Sequence, residues 1–332
     1  MIKEERCLKE NSNLITHNIY FTMICLNLLA TILKMNNLIK KGINIWSFDQ
    51  SYSIAKCMRI AKDAGFEGIE LALSAKGSLS MNSTDEEIIA IRETAKEIGL
   101  SITSLATGLY WQFSLTSNRE DIRSKAKQLV KRQLDVAALL GADCILACPG
   151  TVGVDFKPED VVPDANEIDF FAGSEIIDYD VAYMRAKEAF IELAPYAAQK
   201  QVIIGIENIW NKFLLSPLEM KNFIDEINSP WVGAFLDVGN MVLYGYPEHW
   251  IKILGSRIKK VHFKDFRREA KGLAGFVDLL AGDVDWVKVV DEFIKIGYQG
   301  WANAEMCPTY KLYTDQMIYN TSASMDRILR RG

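Results

Sequence analysis

Four short stretches of the chain run apolar and then end on a side chain that can bind a metal ion or carry a proton. The segment 202–210 (VIIGIENIW) delivers Glu207, 232–240 (VGAFLDVGN) delivers Asp237, 258–265 (IKKVHFKD) delivers His262 and 300–306 (GWANAEM) delivers Glu305. Runs of this kind read as strands of a parallel sheet covered on both faces, and the carboxyl ends of such strands are where these sheets bind ligands. Two Glu, one Asp and one His are hard oxygen donors plus one imidazole, a set suited to one divalent ion such as Mn, Mg, Co or Zn. With a coordination position open, that ion would polarise the vicinal oxygens of a ketose or similar polyol and stabilise the enediolate formed when the adjacent proton leaves. Glu207 and Glu305 are read as ligands that also exchange this proton, one removing it and the other returning it from the opposite face.

The elements that must position these residues alternate strictly. Strands are expected at 41–46, 68–73, 101–107 and 144–149, then at the four stretches above. Between them lie helical patterns at 52–64, 83–98, 119–140, 181–199, from Ser216-Pro217 onward, 247–254, 285–296 and 313–329. Gly65, Gly99, Gly141 and Gly297 close helices where a left-handed residue is favoured, and the 83–87 run STDEE gives a capping signal. Alternation of strand and helix implies a parallel sheet, and eight such units close most simply as a (β/α)8 TIM barrel. A doubly wound open sheet would need a glycine-rich first turn of the GxGxxG kind, which does not follow the first strand.

With 332 residues the chain is long enough for one such barrel, and 49% hydrophobic against 24% charged residues is ordinary for a protein with a sizeable core. A net charge of −5 gives no basic field, so nucleic acid is a poor partner. Six cysteines without a CxxC pair read as buried free thiols of a reducing, cytoplasmic compartment. Residues 1–40 are expected to be an N-terminal extension outside the barrel and 41–332 the barrel itself. The apolar run at 19–33 is too short to span a bilayer comfortably, and the acids Glu4, Glu5 and Glu10 argue against a secretory signal. No stable membrane insertion is expected, and a homo-oligomer is left open. The long acidic segment 150–180 follows the fourth strand, where it would lie over the ligand face as a partial lid or form a solvated insertion.

The motifs IENIW, FLDVGN, KKVHFKD and GDVDWVKVVDEFIKIGYQGWANAE resemble the sugar phosphate isomerase/epimerase superfamily with the xylose isomerase-like TIM barrel, over roughly residues 41–330. That superfamily includes ketose 3-epimerases, L-ribulose-5-phosphate 3-epimerases, hexulose-6-phosphate isomerase-like proteins and inosose isomerases and dehydratases. The resemblance implies a metal set of Glu207, Asp237, His262 and Glu305, proton exchange by the two Glu, and a sugar or sugar phosphate as substrate. Many free-ketose epimerases carry a substrate-contacting His where this chain has Asn240; the DxGN form resembles the sugar-phosphate branch. Asn240 is therefore assigned a substrate hydroxyl or a turn role. Lys212, Lys264, Arg267 and Arg268 are cations placed to hold a phosphate or carboxylate, with clustered surface charge as the alternative, while Lys264 and Asp265 could instead pair with neighbours in the barrel rim. Trp46, Trp111 and Trp210 would form an apolar wall against the sugar carbons, and Glu70 would orient a ligand or make an ionic contact in the mouth. Two readings compete with an isomerase or epimerase: a metal-dependent dehydratase or isomerase of an inosose-like or dehydroshikimate-like substrate, and a non-catalytic sugar-binding barrel. Only three His and an acidic net charge argue against an apurinic-endonuclease type of site, a reading that several metals per chain would restore.

Overall fold

A computed structural model describes residues 39–157, 171–307 and 312–331. Eight parallel strands close into a barrel: β1 (Ile39–Asn44), β2 (Gly68–Ala72), β3 (Ser101–Ala106), β4 (Cys144–Ala147), β5 (Ile203–Glu207), β6 (Val232–Asp237), β7 (Ile258–Phe263) and β10 (Gly300–Ala304). β1 pairs with both β2 and β10, which is the closure that removes the sheet's edges. The helices α1 (Ile54–Asp63), α2 (Asp85–Ile98), α3 (Glu120–Leu140), α4 (Tyr179–Lys200), α5 (Pro217–Ile227), α6 (Pro247–Leu254), α7 (Trp286–Lys295) and α8 (Thr314–Ile328) follow the strands in turn.

Local chemistry sets these boundaries. Thr84 and Glu87 cap α2 reciprocally, and Gly99 ends it in the left-handed region. Ser216 caps α5, whose first residue is Pro217. Along each strand alternate side chains face inward. The outward ones pack with the helices into one large apolar cluster, whereas Ala106, Cys144, Leu146 and Phe235 form a small separate one. β4 and β6 are buried at every position, as their unbroken apolar runs require.

Three features differ from the sequence reading or extend it. β1 begins at Ile39, because Ile39 and Lys40 already pair with Gly300 and Trp301 of β10; two residues assigned to the extension thus belong to the barrel. A hairpin of β8 (Asp265–Phe266) and β9 (Phe276–Val277) follows β7 and was not anticipated. Its strands are too short to show a period. The described ends of the acidic segment lie at the mouth: Phe156 packs edge-on against Trp111 with ring centroids 5.1 Å apart, and Glu175 accepts hydrogen bonds from Ser117 and Asn118. The middle of that segment, the apolar run at 19–33 and His17 fall outside the described residues. No described helix is long and apolar enough to cross a membrane.

Candidate active site

Strand register brings the four singled-out residues to one point. Asp237 and His262 are direct neighbours across β6 and β7. Glu207 ends β5, and Glu305 lies one residue past the Ala304–Phe263 pairing of β10 and β7. Glu207, Asp237, His262 and Glu305 are all buried, and one donor atom from each lies within 4.8 Å of the others. His262 Nδ1 is 3.7 Å from Glu305 Oε2, 3.8 Å from Asp237 Oδ2 and 4.0 Å from Glu207 Oε1. Two of these atoms, Asp237 Oδ2 and His262 Nδ1, are buried without a hydrogen-bond partner. A buried polar atom left unpaired costs about 1–3 kcal/mol, and two of them facing one centre ringed by carboxylates fit a divalent cation.

The other face of the imidazole is fixed from below. His262 Nε2 is 2.6 Å from Glu70 Oε1, and Glu70 also accepts hydrogen bonds from Asn44 and from Ser104 Oγ. In the neutral imidazole with Nε2 donating to Glu70, the form a metal ion requires, Nδ1 carries the lone pair and faces the cluster. The Phe235 ring, 4.6 Å from the imidazole between centroids, packs against it. Glu70 is thus not a residue of the mouth. It pairs in register with Asn44 and Ser104, one layer beneath the cluster.

Above the cluster a cavity opens, lined by Glu207, Glu305, Asn240 and Lys264 with the rings of Trp46, Trp111, Trp210, Phe156 and Phe276. The three tryptophans expected at the sugar-facing wall are therefore all there. Asn240 is held by the DVGN turn: its backbone N–H donates to Asp237 Oδ1 at 2.7 Å, and its amide donates to Asn208 O at 3.0 Å and Glu207 Oε1 at 3.3 Å. A Cβ on Gly239 would lie 2.8 Å from Lys264 Cβ and 2.9 Å from its backbone, so the turn sits on the end of β7 only with glycine there. Two of the expected anion holders stand apart from this cavity. Lys212 pairs with Asp155 at 2.5 Å in an adjoining groove. Arg267 is exposed and donates to the Ala281 carbonyl at 2.8 Å.

A profile of the xylose isomerase-like TIM barrel matches residues 58–324. The chain belongs to that family. Among curated members, SgbU of Haemophilus influenzae, a candidate L-ribulose-5-phosphate 3-epimerase, is 27% identical over 281 residues, covering 80% of this chain and 88% of the relative. UlaE of Salmonella paratyphi A, an L-ribulose-5-phosphate 3-epimerase, is 19% identical over 278 residues, covering 79% and 87%. The crystal structure of D-psicose 3-epimerase in the presence of D-fructose superposes with a TM-score of 0.70 at 18% identity, over 88% of this chain and 99% of that one. At that identity the likeness speaks for the shared barrel alone.

Within this family barrel, one residue of the mouth sits deeper than the sequence implied. Lys264, read as an anion-holding cation of the mouth or a partner of rim neighbours, is buried and donates to Glu305 Oε2 at 2.7 Å. The signal was present: Lys260, His262 and Lys264 are spaced two apart, so they share the inward face of the chain leaving β7. Asp265 faces the other way and accepts from Phe266 N, Leu280 N, Val284 N and Trp286 Nε1, which ties the loop after β7 in place.

Charges inside the cluster push its two glutamates apart. Burial, then the neighbouring Glu305 charge, raises Glu207 well above the usual carboxylate range. Burial acts on Glu305 as well, but the charges of Lys264 and His262 outweigh it and hold Glu305 below its ordinary value. Burial lifts Asp237 to about 6 against the opposing charge of Lys264. For His262 burial opposes the charged form, yet the carboxylates of Glu70 and Glu305 raise it to about 10. Burial pushes the thiols of Cys148 and Cys307, which also line the cavity, up to about 12 and about 11. They stay protonated near neutrality and are poor metal ligands in that form.

Proposed function

We propose that the chain is an epimerase of a ketose phosphate, inverting the carbon beside the carbonyl through an enediolate, with one divalent ion held by Glu207, Asp237, His262 and Glu305. The observation that carries the reading is the convergence of two glutamates, whose surroundings drive their proton affinities apart, on a centre where Asp237 Oδ2 and His262 Nδ1 lack partners. Paired carboxylates separated in this way mark an acid and a base. When bound, the ion would supply Lewis acidity to the carbonyl and its neighbouring hydroxyl oxygen.

The chain's own residues do the rest. Lys264 keeps Glu305 ionised, so Glu305 takes the proton from one epimer while Glu207 serves the opposite face. Asn240 holds Glu207 by its Oε1, so its amide is a positioning group more than a hydroxyl binder. Glu70 fixes the His262 ring. Trp46, Trp111 and Trp210 cover the carbon face of the substrate and exclude water, which strengthens every charge interaction inside. The curated relatives named for L-ribulose 5-phosphate support a phosphorylated substrate, in keeping with Asn240 in place of the free-ketose histidine.

The test is deuterium wash-in followed by NMR, with manganese-loaded protein in D2O against a panel of free ketoses, ketose 5- and 6-phosphates and inososes. Exchange at a single carbon beside the carbonyl of a ketose phosphate, abolished by chelator, is the expected result. A new enone absorbance with an inosose would move the chain to the dehydratase reading. Binding without exchange of any member would move it to the sugar-binding barrel.

A further inference from the structure

Lys264 is the one cationic side chain among the described residues that line the cavity. The motif His262-Phe263-Lys264 places its side chain on the same inward face as the imidazole, one layer nearer the mouth. Two contacts hold it there: Glu305 Oε2 at 2.7 Å, and the ring of Phe276 on β9, whose centroid lies 4.3 Å from Nζ. An ammonium has three donors, and the carboxylate takes one. Phe276 also packs on Trp210, with centroids 5.0 Å apart, so the hairpin that follows β7 places an aromatic surface beside the cation.

We infer that Lys264 is a catalytic residue which hydrogen-bonds the substrate oxygen that becomes negative in the enediolate. This rests on the epimerase reading above. In the step concerned, the C–H bond beside the carbonyl breaks, its proton forms an O–H bond on Glu305, and the electron pair moves through the new C=C bond onto the carbonyl oxygen. Before transfer the negative charge is on Glu305; afterwards it is on the substrate oxygen. A fixed ammonium that touches the carboxylate and also faces the cavity compensates the charge at both stages. Its attraction therefore follows the charge onto the substrate instead of opposing the proton transfer, and in a water-poor cavity that attraction is strong. Glu207 then gives its proton to the opposite face of the same carbon: its O–H bond breaks, the C–H bond forms from the C=C electron pair, the carbonyl is regenerated and the negative charge is left on Glu207.

The experiment compares wild-type protein, K264M, K264R and K264A, each loaded with manganese, for deuterium wash-in, kcat, KM and manganese affinity by calorimetry. The inference expects K264M to lose about 10²–10³-fold in wash-in and kcat with manganese affinity changed only a few-fold. K264R should retain part of the rate, and added ethylammonium should restore part of the K264A rate saturably. A role confined to supporting Glu305 as a metal ligand would lower manganese affinity in parallel with rate and leave K264A without amine rescue, and that result overturns the inference. So does wash-in by K264M within a few-fold of wild type. Failure of the wild-type protein to exchange any ketose phosphate would instead overturn the epimerase reading, and this inference with it.

Discussion

Asp237 and His262 each keep one buried polar atom without a partner, and both atoms face the same four-residue centre. A divalent ion entering that centre would compete with protons for it. Asp237, lifted to about 6, and His262, lifted to about 10, both hold protons more tightly than an ordinary carboxylate or imidazole, and Glu207 shifts the same way. A ligand that binds metal must first be deprotonated, so apparent affinity for a divalent ion falls as the pH drops below these values and rises as it climbs through them. Calorimetric titration with manganese should show affinity increasing from about pH 5.5 to about pH 8, with protons released to the buffer; affinity independent of pH would contradict the set. Of the four cluster residues, Glu70 hydrogen-bonds His262. Glu70→Gln should lower manganese affinity by about 10–100-fold while leaving the cavity lining unchanged, measured by the same titration. The convergence of these residues was partly legible in sequence. The donors Glu207, Asp237, His262 and Glu305 each terminate an apolar run. Glu70, read as orienting a ligand or making an ionic contact in the mouth, holds the His262 ring, and its place in the middle of β2 puts it beneath the cavity. Lys212 and Arg267 lie outside the cavity, since proximity in sequence says nothing of direction: Lys212 has φ of 57° and turns toward Asp155, and Arg267 turns toward Ala281.

Elements carry the next level of the argument. The eight strands and eight helices were readable because each strand is an apolar run bounded by turn residues and most helices end at a glycine or begin at a capping side chain. The hairpin β8–β9 was not readable, since two-residue strands leave no pattern. Its position depends on one buried carboxylate, Asp265, with four donors drawn from positions 266 to 286. Asp265→Ala would strand several of those N–H groups, and a cost of about 3 kcal/mol in denaturant unfolding is expected. Because the hairpin delivers Phe276 to Lys264, the same variant should lose rate as well as stability. Thr84→Ala, by contrast, removes half of the α2 capping box far from the cavity; it should cost about 1 kcal/mol with kcat unchanged. Equal loss of rate in both variants would show that the hairpin has no special part.

At the scale of the molecule, the barrel gathers residues from four strand ends spanning almost a hundred positions, and it does so by register alone. Three carboxylates, each with an oxygen within 4.8 Å of the others around one imidazole, repel one another, and a divalent ion among them would relieve that repulsion. Removal of divalent ions by chelator should therefore lower the melting temperature, and restoring manganese at about a hundred times its dissociation constant should return about 2.7 kcal/mol; an unchanged melting curve would remove the ion from the structure. The central claim is that Glu207 and Glu305 serve opposite faces of one carbon. The measurement that tests it most directly is deuterium wash-in by Glu305→Gln, with bound manganese quantified in the same sample. The account predicts that this variant, metal retained, no longer interconverts the two epimers yet still exchanges deuterium into the one whose proton faces Glu207, with retention of configuration. Exchange into both epimers, or continued interconversion, would contradict it.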